Sequence, residues 1–335
     1  MKHSFAAAFL AIYLVQPSFA FAQVESPEEN ARDAFLRRDV ASLTKMAEAG
    51  DQTAKYNLGF IYEFGLGVDQ DYSLALFYYR AAAEQGNANA QNMLGSMYST
   101  GRGVAQDEAT AVNWYRMAAE QGNAAAQMNL GIMYAKGAGV KQDDARAVDW
   151  YRKAAEQGVA NAQYMLGLMY KSGRGVTKDN VTAVSWFQKA SDSGDADAQL
   201  SLGYSYFTGE GVQQNYAVAV SWFQKASDSG DASAQFALGW TYYEGKGVPQ
   251  DFAIAISWYQ KAAEQGHDIA QLNLGVVYAE GKGVPQNYVQ AHKWFNLSAA
   301  AGNSDAAKNR DFVATKMTAA QIAQAQGLAS AWRKK

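Results

Sequence analysis

Residues 101–136 read GRGVAQDEATAVNWYRMAAEQGNAAAQMNLGIMYAK, and residues 137–172, GAGVKQDDARAVDWYRKAAEQGVANAQYMLGLMYKS, repeat the pattern. The Gly-x-Gly-Val that opens both stretches occurs at Gly65, Gly101, Gly137, Gly173, Gly209, Gly245 and Gly281, always 36 residues apart. A fixed period of this size marks a solenoid of stacked supersecondary units rather than one closed core. Other columns keep the same step. Leu-Gly runs from Leu58-Gly59 to Leu274-Gly275, a tyrosine from Tyr62 to Tyr278, and an alanine from Ala75 to Ala291. Trp114, Trp150, Trp186, Trp222, Trp258 and Trp294 form another column, with Tyr78 filling it in the first copy. Val184–Ala196 recurs unchanged as Val220–Ala232, which fixes the register, and seven blocks fill residues 51–302 without a gap.

Within a block the apolar spacing is helical. Ala90, Leu94, Met97 and Tyr98 follow a 3–4 rhythm, as do Ala111, Trp114, Tyr115, Ala118 and Ala119. Each block therefore predicts two helices, and the punctuation agrees. Gly122 stands where a helix ends in a left-handed residue, and Asn123 where the next needs an N-cap. Gly101-Arg102-Gly103-Val104 forms the turn inside a block, its valine free to tuck inward. Asp71, Asp107, Asp143, Asp179, Asn215, Asp251 and Asn287 then read as N-caps of the second helix. A calcium loop would need several carboxylates at short spacing, and each block offers one or two.

The ends differ from the middle, as solenoid ends must to cover otherwise exposed faces. Residues 23–50 carry a helical pattern through Phe35, Leu36, Leu43 and Met46, and residues 303–335 close with a helix after Thr318-Ala-Ala-Gln321, a capping-box spacing. Residues 1–22 look like an export signal. Lys2 is followed by an apolar run from Phe5 to Val15, then Pro17 and the small-residue pattern Ala20-Phe21-Ala22. Cleavage is expected after Ala22, leaving a periplasmic or secreted chain with no stable membrane insertion, since the run is too short to span a bilayer.

The chain has 335 residues, 49% hydrophobic and 18% charged, so it carries ample apolar material to bury. It has no cysteine, which removes disulfides, thiolate metal sites and a cysteine nucleophile together. A net charge of −3 argues against a phosphate-neutralising surface, so nucleic acid is not an expected partner.

The string Ala147-Val-Asp-Trp150-Tyr-Arg-Lys-Ala154-Ala-Glu-Gln-Gly158, continued by Ala162-Gln163, Leu166-Gly167, Met169-Tyr170 and Gly173-Arg-Gly175-Val176, resembles the Sel1-like repeat family, relatives of tetratricopeptide repeats. The resemblance covers residues 51–302. It implies an all-α fold, a right-handed superhelical solenoid of helix pairs, whose members bind other proteins in bacterial envelopes and in host interaction. A monomer or weak oligomer is expected. Some cysteine-rich members have been described as β-lactamases, and this chain departs from them in having no cysteine.

Signals for chemistry are sparse. Ser42-Leu-Thr-Lys45 has the Ser-x-x-Lys spacing of penicillin-recognising enzymes, but no Ser-Asp-Asn or Lys-Thr-Gly accompanies it. A β-lactamase-like or cell-wall hydrolase is therefore the alternative reading. His267 occupies the column held by Asn87, Asn123, Asp195 and Asp231, which makes it a substitute helix start. His292 falls in the Val/Ile column of the last block, where the outer side is expected to be less packed. No His–carboxylate spacing suits a metal, and Gly-x-Gly-Val lacks the third glycine of a dinucleotide loop. No cofactor is implied.

Positions identical in every block answer a need every block shares, which is packing. The mid-helix Gly95 and its equivalents each forgo about 1 kcal/mol of helix propensity against alanine, so they imply close helix approach. The tryptophan column is assigned to packing between neighbours, with cation–π contact secondary. Positions that vary in a defined geometry are the candidates for partner contact. Residues 92, 96 and 99 share one face of the first helix, expected to line a concave groove. This face is polar in the second block and aromatic in the fifth and sixth. Tyr204, Phe207, Phe236, Trp240 and Tyr243, extended by Tyr164 and Leu200, are the predicted protein- or peptide-binding patch. The competing reading is that these rings only pack on one another.

Overall fold

A computed structural model describes residues 27–332 of the chain, so the expected signal segment, residues 1–22, lies outside the described residues. Among the described residues there are 18 helices and no strand. The chain divides into two compact units at residues 159 and 160. The first holds α1 (Pro27–Arg37), α2 (Val40–Glu48), α3 (Gln52–Phe64), α4 (Tyr72–Ala83), α5 (Ala88–Thr100), α6 (Glu108–Glu120), α7 (Ala124–Lys136) and α8 (Asp144–Glu156). The second holds α9 (Ala160–Ser172), α10 (Asn180–Asp192), α11 (Ala196–Thr208), α12 (Tyr216–Asp228), α13 (Ala232–Glu244), α14 (Phe252–Glu264), α15 (Asp268–Glu280), α16 (Tyr288–Ala300), α17 (Ser304–Ala314) and α18 (Ala319–Ala331). From α3 to α16, odd-numbered helices open a repeat and even-numbered helices close it.

The helix boundaries are made by the residues the sequence marks. Asp71, Asp107, Asp143, Asp179, Asn215, Asp251 and Asn287 each accept a backbone N–H from the first turn of the second helix. Asn123 caps α7 in the same way, and Thr318 with Gln321 forms the capping box of α18. Gly101 ends α5 in the left-handed conformation at φ 71°. Gly103 follows at φ 70°, and Val104 packs against the buried cluster of Ala75, Tyr79 and Leu94. A Cβ on Gly103 would lie 2.8 Å from the backbone oxygen of Tyr72, at the start of the preceding repeat's second helix. The turn thus joins neighbouring repeats as well as helices.

Inside each repeat the two helices meet at a glycine. Gly59, Gly95, Gly131, Gly167, Gly203, Gly239 and Gly275 face the rings of Tyr79, Tyr115, Tyr151, Phe187, Phe223, Tyr259 and Phe295. All seven rings are buried, none more than 5% exposed. This Tyr/Phe column, adjacent in sequence to the tryptophans, is the intrahelical-pair core. The tryptophans do a different job. Trp114, Trp150, Trp186, Trp222 and Trp258 are half-buried, and only Trp294 is buried. Trp222 and Trp258 pack on buried clusters that belong to the preceding repeat, around Phe187 and Phe223 respectively. Lysine ammoniums lie 3.8–4.2 Å from the ring centroids of Trp150, Trp186, Trp222, Trp258 and Trp294. Cation–π contact is therefore a regular feature of the column, beside its packing on the preceding repeat.

Buried amides tie repeat to repeat. Gln91, Gln127 and Gln271 each donate to a carbonyl near the end of the preceding repeat's second helix, Ala83, Ala119 and Ala263. Gln121, Gln157 and Gln265 in turn donate to the side chains of Gln91, Gln127 and Gln235. The terminal helices cover the ends. Phe35 of α1 sets its ring edge-on to Phe60 at 5.7 Å, and the Asn57 amide donates to the Ala31 carbonyl at 3.1 Å. Leu36, read as part of the apolar pattern, is instead exposed. His292, expected on a loosely packed side, is buried beside Arg310 and Asp311 of α17, because that terminal helix covers it.

Two substitutions test this packing. Gly95→Ala gains about 1 kcal/mol of helix propensity but drives a Cβ to 2.5 Å from the buried Tyr115 ring. A lowered urea midpoint, equivalent to about 1–3 kcal/mol, is expected, and a raised midpoint would contradict the contact. Gly103→Val adds left-handed strain to a backbone collision, so a loss of about 2 kcal/mol or more is expected. An unchanged melting curve would count against it.

His267 gives a pH-dependent test. Its Nδ1 accepts from the Ala270 N–H at 3.2 Å, and burial lowers its pKa below the usual 6.5. The unfolded chain therefore takes up a proton first as pH falls, so the cap's contribution is complete above pH 6.5 and is lost below it. His267→Asn keeps the cap without a titrating group. The wild-type chain should lose about 1 kcal/mol relative to this variant between pH 7 and pH 5, and parallel curves would contradict the assignment.

Candidate functional site

On α11 and α13 the first-helix face that varies between repeats carries Leu200, Tyr204 and Phe207, then Phe236, Trp240 and Tyr243. Their i, i+4, i+7 spacing puts them on one side of each helix, beside Gly203 and Gly239, which sit three residues after Leu200 and Phe236. Each ring leans on the second-helix ring of its own repeat. Tyr204 meets Phe223 edge-on at 5.2 Å, Phe236 stacks on Tyr259 at 5.9 Å, and Tyr243 meets Tyr259 at 6.3 Å. Between repeats, Phe207 sets its edge against Trp240 at 5.2 Å. Tyr204 is exposed, and the other six predicted residues are half-buried. Both physical readings thus hold a share: the rings pack at their bases and remain open at their edges.

The openings are two cavities that share Trp240 as a wall. One, of about 180 Å³, is lined by Tyr204, Phe207, Phe223, Phe236, Ala237, Trp240 and Thr241. The other, of about 170 Å³, continues past Trp240 and Tyr243 to Glu244, Tyr259, Asn273, Val276 and Val277. The first is walled almost wholly by rings, while the second has a carboxylate and an amide. Tyr164 and Leu200 lie outside both linings. Tyr164 packs against Phe187 at 5.8 Å and bonds through its phenol with Ser201, while Leu200 packs on the Ala237–Leu238 cluster. The structure therefore gathers Tyr204, Phe207, Phe236, Trp240 and Tyr243 and sets the other two beside them.

Electrostatically the face is acidic. Burial and the charge of Asp231 raise the Tyr204 phenol, and burial followed by Asp197, Asp195 and Asp231 acts on Tyr164 in the same direction. Asp195 is itself raised, first by burial. His267, the cap of α15, stacks on Phe236 at 4.8 Å and closes that end of the face.

The first repeat shows what the sequence columns left out. Tyr56, Phe60 and Glu63 occupy the same three columns, and all are buried. Glu63 pairs with Arg102 at 2.7 Å and accepts from the Tyr79 hydroxyl at 2.8 Å, with burial raising its pKa despite both partners. Only comparison of the first block with the rest would have flagged Glu63 as the one carboxylate in its column.

The other candidates have local roles. The Ser42 hydroxyl donates to Asp39 Oδ2 at 2.7 Å, inside the N-cap of α2, and Lys45 is exposed. Among the described residues no three metal-ligating side chains converge, and no helix is long and apolar enough to cross a membrane.

Known proteins carry the same architecture. A Sel1 repeat protein from Oxalobacter formigenes is 33% identical, with a TM-score of 0.66 over 73% of this chain and 96% of that one. The structure of c5321, a protective antigen present in uropathogenic Escherichia coli strains and displaying an SLR fold, is 31% identical, with a TM-score of 0.52 over 91% of this chain and 84% of that one. No functionally curated protein matches the chain. Sel1 repeats are matched at residues 52–87, 88–123, 124–159, 160–195, 196–231, 232–267 and 268–303. Repeats of this kind generally act as protein-interaction scaffolds. With all seven units matched and their helix pairs formed, the chain belongs to the Sel1 repeat family.

Proposed function

We propose that the protein is an exported scaffold that holds a protein or peptide partner against the aromatic face of α11 and α13, in a groove formed by the first helices. The observation that carries this reading is the half-open ring cluster around Trp240, with a cavity on either side. Packing accounts for the bases of these rings but requires none of their exposed edges. Aromatic side chains give large contact area at low entropic cost and dominate binding hot spots. A solvated patch of this kind is seldom kept without use. The pattern at residues 1–22 supports export, and the likeness to a protective antigen favours a place in the envelope or at the host interface.

Trp240→Ala separates contact from core. Partner affinity should fall by about 2 kcal/mol or more, with a stability loss well below that of a buried tryptophan. Trp294→Ala, at a ring only 4% exposed, is the control and should cost about 3–5 kcal/mol of stability. The partner is first retained on the wild-type chain from an envelope extract, then titrated calorimetrically against each variant. Intact binding by Trp240→Ala, with a stability loss matching the control, would overturn the proposal.

A further inference from the structure

The rings of the 180 Å³ cavity differ from the second-helix tryptophans between Trp150 and Trp294 in one respect: no lysine lies over them. Five tryptophans of the second helices carry a lysine on the ring face, Lys246 lies over Tyr216, and Lys282 both covers Tyr243 and donates to its hydroxyl at 3.1 Å. Among the described residues no lysine or arginine lies over Trp240, Phe207, Phe236 or Tyr204. Five aromatic side chains surround this space; Phe236 is stacked on Tyr259 and His267 and Phe223 is buried, whereas Tyr204 and Trp240 make only edge-on ring contacts and keep π surface toward the cavity.

The charge around them has the complementary sign. From Asp195 to Glu244 the sequence holds Asp195, Asp197, Glu210, Asp228, Asp231 and Glu244 against the single base Lys225, which lies over Trp222. Of these, Asp195, Asp197 and Asp231 stand at the N-terminal ends of α11 and α13, and Glu244 lines the adjoining cavity. The flanking cations are already engaged, Lys171 with Glu210 at 3.8 Å and Lys282 with Glu280 at 2.7 Å.

Building on the scaffold reading, we infer that the partner presents a basic peptide segment, and that an arginine guanidinium of that segment enters the cavity of Tyr204, Phe207, Phe236 and Trp240. The planar, weakly hydrated guanidinium stacks on rings better than an ammonium does. The carboxylates at the helix ends then draw the basic segment in and hold its remaining charges.

The probe is an acetylated, amidated hexapeptide alternating arginine and serine, compared with its citrulline counterpart, which keeps shape and loses charge. Titrated into the purified full chain, the arginine peptide should bind at least tenfold more tightly than the citrulline peptide. Trp240→Leu should erase that difference. The triple variant Asp195→Asn, Asp197→Asn and Asp231→Asn removes three charges while leaving asparagine to cap both helices. It should weaken the arginine peptide about tenfold and flatten its salt dependence. Equal binding of the two peptides, no binding of either, or indifference of the arginine peptide to the triple variant overturns the inference. A natural partner that still depends on Trp240 in those cases leaves the scaffold reading standing, whereas one indifferent to Trp240 defeats both.

Discussion

Each repeat depends on one contact, an aromatic ring of the second helix lying on a glycine of the first. At Gly95 even a methyl group would stand 2.5 Å from Tyr115, so the two helices approach as closely as backbones with one intervening ring allow. That approach sets everything placed around it. It turns the neighbouring tryptophan toward the preceding repeat, brings the Gln91 amide under the Ala83 carbonyl, and leaves the varied face of the first helix packed on the core only at its base on α11 and α13. The helix-propensity cost of a mid-helix glycine, about 1 kcal/mol each, is what this geometry requires.

Because the glycine–ring contact is the same in every repeat, the varied face that packs at its rim can differ from copy to copy. The first repeat shows it can be covered: α1 lies against it, and Phe60 and Tyr56 are buried there. On α11 and α13 the same columns stay half-open, carry the largest rings, and frame two cavities about Trp240. Identical positions thus serve stacking, and on the proposed reading the varied positions serve contact. The acidic helix ends beside those rings extend the same division to charge.

Much of this was legible in the sequence for physical reasons. Helix caps depend on local geometry, so Asp107, Asn123 and even His267 could be assigned from spacing alone. A glycine repeated mid-helix announces a close neighbour, though not which one. The ring that fills it was missed because Trp114 and Tyr115 are adjacent and both recur in large part, and periodicity cannot say which of two neighbouring positions points inward. Lysines over tryptophans, the glutamine bonds between repeats and the buried Glu63–Arg102 pair are long-range pairings with no local signature. The proposed binding face was visible as a column of changing residues, but its openness depends on what lies opposite, and only the folded chain shows that.

The central claim is that contact with a partner is made at the varied first-helix face and not at the second-helix surface. Site-specific photo-crosslinking in living cells tests this most directly, with a photoreactive phenylalanine analogue at Tyr204 or Tyr243 and, for comparison, at the exposed Val181 and Ile254 of α10 and α14. Irradiation should give a covalent adduct with a second protein from Tyr204 and Tyr243 and none from Val181 or Ile254. Adducts from Val181 or Ile254 with none from Tyr204 or Tyr243 would contradict it.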